Sequence, residues 1–156
     1  MSAALQAKFE ITESWSERLS LFEELSLASR EFPERAALFS HHLQSAFYHP
    51  LAAVRSIAYE ISLSLLSANS SLSEYYTNAF IAAILHKDAT ISAHALSFLP
   101  RFVTACQTSA SRLIEAAAKA VQKCPSPSSC KYLAFAMAAL NNIELEQDQQ
   151  HSPKHK

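Results

Sequence analysis

No glycine occurs anywhere in the 156 residues. Tight hairpins and phosphate-cradling loops lean on glycine for positive φ, so a chain without it is expected to be helical. Its turns then fall to Pro, Ser, Asn and Asp. The same absence excludes the P-loop and the dinucleotide fingerprint, each of which needs several glycines. Hydrophobic residues make up 49% of the chain, enough to fill the core of one domain of ordinary size. The formal net charge is −1, so no global field favours nucleic acid as a partner.

The helix boundaries are punctuated. A short helix fits residues 2–10. Ser14 and Glu17 are spaced as a capping box, in which the Ser oxygen accepts an N–H bond and the Glu reaches back. Trp15, Leu19, Phe22 and Leu25 come next at helical spacing. Pro33 ends that helix and opens a third, about 34–47, and Pro50 opens a fourth, about 50–67. Ser71 and Glu74 make a second capping box before a helix of about 72–85. Asp88 is placed to cap a helix of about 89–105, which Pro100 is expected to kink. Helices of about 109–124 and 128–142 complete eight, arranged as four antiparallel pairs. Residues 1–143 therefore read as one helical domain, and the polar stretch 144–156 as a disordered tail.

The pairs recur. HPLAAVRSIA, residues 49–58, returns in outline 37 residues later as HKDATISAHA, residues 86–95. At that offset Val54, Ala58, Ile61, Leu65 and Leu66 fall on Ile91, Ala95, Phe98, Phe102 and Val103. Leu43, Phe47 and Tyr48 fall on Phe80, Ile84 and Leu85. A further step gives Ala117, Val121, Tyr132, Phe135 and Leu140, a weaker match. One pair cannot cover its own apolar face, so the recurrence implies units that bury the same seam against their neighbours.

Pro50, Val54, Arg55 and Ala58 match the usual Pro, Val-Arg and Ala of a HEAT second helix. Asp88, Ile91 and Ala95 keep the outline, with Ser92 in place of the Arg. The chain thus resembles the HEAT and armadillo class over about residues 10–142, which implies an all-α superhelix of four helix pairs. ESWSERLSLFEEL, after a very short first helix, further resembles the start of a TOG-type, CLASP-like domain. In that family the loops inside each pair grip tubulin, and a Trp in the first loop is a contact. The resemblance implies contacts by Trp15 and the basic Arg18, with His49, Lys87, Lys123 and Lys131 in or beside the later loops. Six pairs are usual there against four here, and YHPLA lacks a Lys or Arg. The competing reading is a HEAT scaffold fragment of a larger complex, gripping a partner along a groove of second helices around Arg55 and Tyr59.

Catalysis and cofactors find no motif. No Cys-x-x-Cys or His-Glu-x-x-His spacing exists, and His41 and His42 are neighbours that diverge by about 100° on a helix, so no metal site is expected. His94 falls at the seam position of Ile57 and reads as a core histidine. Cys106, Cys124 and Cys130 lack a partnered base, and their odd number points to a reducing compartment. No apolar stretch approaches the roughly 18 residues of a membrane span. With no signal peptide, the expectation is a soluble intracellular protein, cytoplasmic or cytoskeletal before nuclear. Ser126 and Ser152 each precede a proline, the dipeptide that proline-directed kinases read.

Overall fold

The computed structural model describes residues 15–31, 34 and 37–151, with backbone only for residues 15–19, 26, 29, 30, 37 and 149–151. Among these residues there are eight α-helices and no strand. They are α1 (Trp15–Glu31), α2 (Ser40–Ala46), α3 (Ala52–Ala68), α4 (Ser73–Ile84), α5 (Ala89–Ser97), α6 (Leu99–Ala105), α7 (Ala110–Lys123) and α8 (Pro127–His151). Short 3-10 turns precede α2, α4 and α7. The helix expected at 2–10 and the capping box at Ser14 lie outside the described residues.

The pairing obeys the repeat. Helix α2 packs on α3, α4 on α5, and α7 on α8. Second helices then stack on second helices, α1 on α3, α3 on α6 and α6 on α8, while α4 stacks on α7 in the other layer. Hydroxyls join α2 to α4: Ser40 and Tyr76 share a 2.7 Å bond, and Tyr75 donates to Gln44 at 2.7 Å. Ion pairs cross between units in both layers. Arg101 grips Glu60 between α6 and α3, and Arg112 grips Glu74 between α7 and α4. These exposed pairs set register more than they stabilise.

The repeated positions are the core. Val54, Ala58, Ile61, Leu65 and Leu66 are buried, and so are Ile91, Ala95, Phe102 and Val103. Aromatic rings fill the centre between units. Phe80 and Phe102 stack at 4.0 Å, and Tyr59 lies 4.6 Å from Phe47 and 4.8 Å from Phe98. Such ring pairs contribute about 0.5–1.5 kcal/mol each beyond the area they bury. Burial pushes the Tyr59 phenol far above its ordinary range and the Tyr76 phenol up to about 12, so both stay neutral.

Several expectations are corrected. Pro100 does more than kink its helix. It has no N–H to offer Leu96, and the segment divides at Phe98 into α5 and α6. The box at Ser71 and Glu74 does not form. Asn69 accepts the Ser71 N–H at 3.1 Å instead, and Glu74 turns to Arg112. The last helix, expected at about 128–142, runs on as α8 to His151. Glu, Leu and Gln there have good helix propensity, and buried Ile143 anchors the turn before them.

Candidate functional site: a groove of second helices and a loop edge

Two surfaces are built by the repeat. The first is the edge where each pair turns. His49 accepts the Leu51 N–H on Nδ1 at 2.9 Å, and His86 accepts the Asp88 N–H on Nδ1 at 3.0 Å. Leu51 and Asp88 are the residues just before α3 and α5, so the recurring histidine is the same turn device used twice. Asp88 then caps α5, taking the Thr90 N–H at 2.8 Å and the Ile91 N–H at 3.4 Å. In the third unit Ser126 takes over, accepting the Ser129 N–H at 3.1 Å.

Arg55 locks this edge from inside. It is only 2% exposed. Its NH1 donates to the His49 carbonyl at 2.6 Å and the Pro50 carbonyl at 3.0 Å, and its Nε donates to His94 Nδ1 at 2.8 Å. A ring that accepts on Nδ1 carries its proton on Nε2, which faces the Ser56 hydroxyl at 3.1 Å. Burial first, and the Arg55 charge second, hold His94 below the usual histidine range. Ser92, at the repeat position of Arg55, does the equivalent work with a hydroxyl on the Ile84 carbonyl at 2.5 Å.

The expected contact residues therefore divide. His49, at 5% exposure, and Arg55 are buried and hold the turn, and Tyr59 sits in the core. Lys87, Lys123 and Lys131 are exposed, and no ion pair among the described residues engages them. Lys131 rests over the Tyr132 ring at 5.1 Å. Trp15 and Arg18 fall in α1 where side chains are not described. Cys106 is buried, and burial raises its thiol, while Cys124 and Cys130 are exposed and free. Among the described residues no three His, Cys, Asp or Glu side chains gather as a metal set, and no helix is long and apolar enough to cross a membrane.

The second surface is a groove of about 660 Å³ between α3, α6 and α8. Leu63 and Ser67 form one wall, Pro100, Arg101, Thr104 and Ala105 the other, and Ala139 the third side. Ala105 and Ala139 leave space that larger side chains would fill. The Arg101–Glu60 pair, with bonds of 2.7 and 2.8 Å, stands at the rim. Those bonds hold the Glu60 carboxyl below its usual range. Phe135, one turn before Ala139, is 54% exposed. A groove of second helices was expected, but around Arg55 and Tyr59. Helix α3 gives the groove Leu63 and Ser67 instead, with Glu60 at the rim through its bonds to Arg101.

Residues 6–107 match the family model described as Integrator complex subunit 1, R4 domain. The chain belongs to that family. The R4-domain match covers well over half of the 156 residues and runs through the units formed by α2 to α6. No curated protein sequence matches the chain. The R4 assignment supports a helical-repeat solenoid and a place in a larger assembly, and it lends nothing to a TOG-type or tubulin-binding identity. It also corrects the expected location. Integrator is a nuclear complex, which overturns cytoplasmic or cytoskeletal before nuclear.

Proposed function

We propose that this chain is a non-catalytic scaffold unit that docks another protein of a multisubunit nuclear assembly along the groove between α3, α6 and α8. The observation that carries the reading is the groove itself, apolar in floor, polar at its rim and built from three successive second helices. The R4-domain match supports the class of partner, since the family is named for a subunit of the Integrator complex. Solenoids present extended faces of this kind to other chains. The partner is another Integrator-type subunit; no nucleic acid, cofactor or metal enters the reading. The loop-edge alternative, with tubulin gripped by Trp15, Arg18, Lys87, Lys123 and Lys131, draws no support from the match.

Affinity capture of the tagged chain from nuclear extract, with mass spectrometry of the captured proteins, tests the proposal. Thr104→Glu, at an exposed position, and Ala139→Arg, at a half-buried one, put a charge into the groove. Both are expected to lose co-purifying Integrator subunits while circular dichroism stays unchanged. Lys87→Glu with Lys123→Glu, on the loop edge, is expected to keep them. Loss in the lysine variant with retention in the groove variants would place the docking face on the other edge.

A further inference from the structure

The turn between α7 and α8 holds a feature that the docking groove does not use. Cys124, Pro125 and Ser126 are the only non-helical residues there, and Pro127 opens α8. Lys123, Cys124, Pro125, Pro127 and Ser128 are all exposed, so the peptide on both sides of Ser126 is open to an enzyme. Ser126 itself is half-buried because its hydroxyl works as the cap of α8: it accepts the Ser129 N–H at 3.1 Å and donates to the Ser129 hydroxyl at 2.9 Å. Beside it lies a cleft of about 360 Å³ whose lining includes Thr90, Ser92, Cys124, Ser126 and Ser129. Lys123 precedes the serine by three residues and Lys131 lies five beyond it, both free of ion pairs among the described residues. Asp88, the acid at this edge, is committed to the Thr90 and Ile91 N–H groups.

We propose that Ser126 is a phosphoacceptor for a proline-directed protein kinase, and that its phosphate is held in the folded chain by the first turn of α8 between Lys123 and Lys131. The hydroxyl oxygen attacks the γ-phosphorus of a nucleoside triphosphate. Its O–P bond forms as the bond to the diphosphate leaving group breaks, and the hydroxyl proton passes to the kinase's base. The product cannot donate to Ser129 as the hydroxyl did. Its phosphate oxygens accept instead, from the Ser129 N–H and the buried Ser129 hydroxyl. About −1.5 to −2 of charge then sits at the positive end of a 25-residue helix, where it is stabilising. It also offsets the lysines of the loop edge, so the modification changes the charge that edge presents. This inference is independent of the groove.

The full chain, incubated with a purified proline-directed kinase and ATP and mapped by fragment mass spectrometry, decides it. Phosphate is expected at residue 126 in the wild type and in Ser152→Ala, which removes the other Ser-Pro. It is expected to vanish in Ser126→Ala and in Pro127→Ala, and to return in Ser126→Thr, which keeps both cap and acceptor. Amide exchange over residues 128–130 is expected to slow several-fold in the phosphorylated chain. Modification confined to Ser152, equal modification of Pro127→Ala, no modification, or faster exchange at 128–130 would each overturn the proposal.

Discussion

Replacing Arg55 with Met separates a structural clip from a partner contact. The side chain is 2% exposed and its three bonds reach the His49 carbonyl, the Pro50 carbonyl and His94 Nδ1. Methionine fills much of the volume, so the packing loss is small. What changes is that these acceptors lose a charged donor in a place water reaches poorly. Leaving a buried polar group unsatisfied costs about 1–3 kcal/mol, and bonds to a charged group are at the strong end. The bonds to Pro50 and His94 are only partly buried, and local relaxation will recover part of the loss. The expected cost is therefore about 3–5 kcal/mol, a large share of the stability of a domain this size. Urea denaturation monitored by circular dichroism reads it as a lower midpoint at unchanged slope. A cycle with His94→Leu adds a sharper criterion, because the two side chains share one bond. The losses are expected to fall short of additive by about 1–2 kcal/mol. A single-variant cost below about 1 kcal/mol, or strict additivity in the cycle, would mean that Arg55 is not the clip described here.

His94 is neutral in the fold and its folded pKa lies below the unfolded value near 6.5, so the unfolded chain binds the extra proton first. Its contribution is present above about pH 6.5 and is lost as pH falls through the folded pKa, and His94→Gln is expected to flatten the fall of the urea midpoint between pH 7 and 5. Asp88→Ala removes the cap of α5 and is expected to cost about 1 kcal/mol by urea denaturation, with Asp88→Asn recovering most of it. Arg101→Ala breaks an ion pair that is about half exposed on both sides, and is expected to cost less than about 1 kcal/mol, losing even that in 1 M salt.

The fold was legible because its rules are local and repeat. A chain without glycine has little choice but helix, and Val54, Ala58, Leu65 and their partners at an offset of 37 mark one seam buried twice. Asp88 was readable as a cap because its carboxylate needs only the N–H groups of Thr90 and Ile91 just beyond it. The Ser71–Glu74 box failed where a competing acceptor, Asn69, and a distant cation, Arg112, each drew one of its members away. The continuation of α8 to His151 was hidden by composition, since Glu and Gln are both polar and good helix formers. The site was less legible than the fold. Arg55 looks like a surface charge in sequence, and only the carbonyls brought to it by the turn at His49 and Pro50 make it interior. Conversely Ala105 and Ala139 carry no signal alone, and the groove exists because three helices set such small residues side by side. Residues near Trp15 and Arg18 resemble a tubulin-binding family locally, while the family match over residues 6–107 is to another.

Hydrogen–deuterium exchange of this chain, alone and within a reconstituted Integrator-type assembly, tests the docking account most directly. Slowed exchange concentrated in residues 60–67, 100–105 and 135–142 is the predicted result. Protection confined to residues 85–88 and 123–131, with the second-helix segments unchanged, would contradict it.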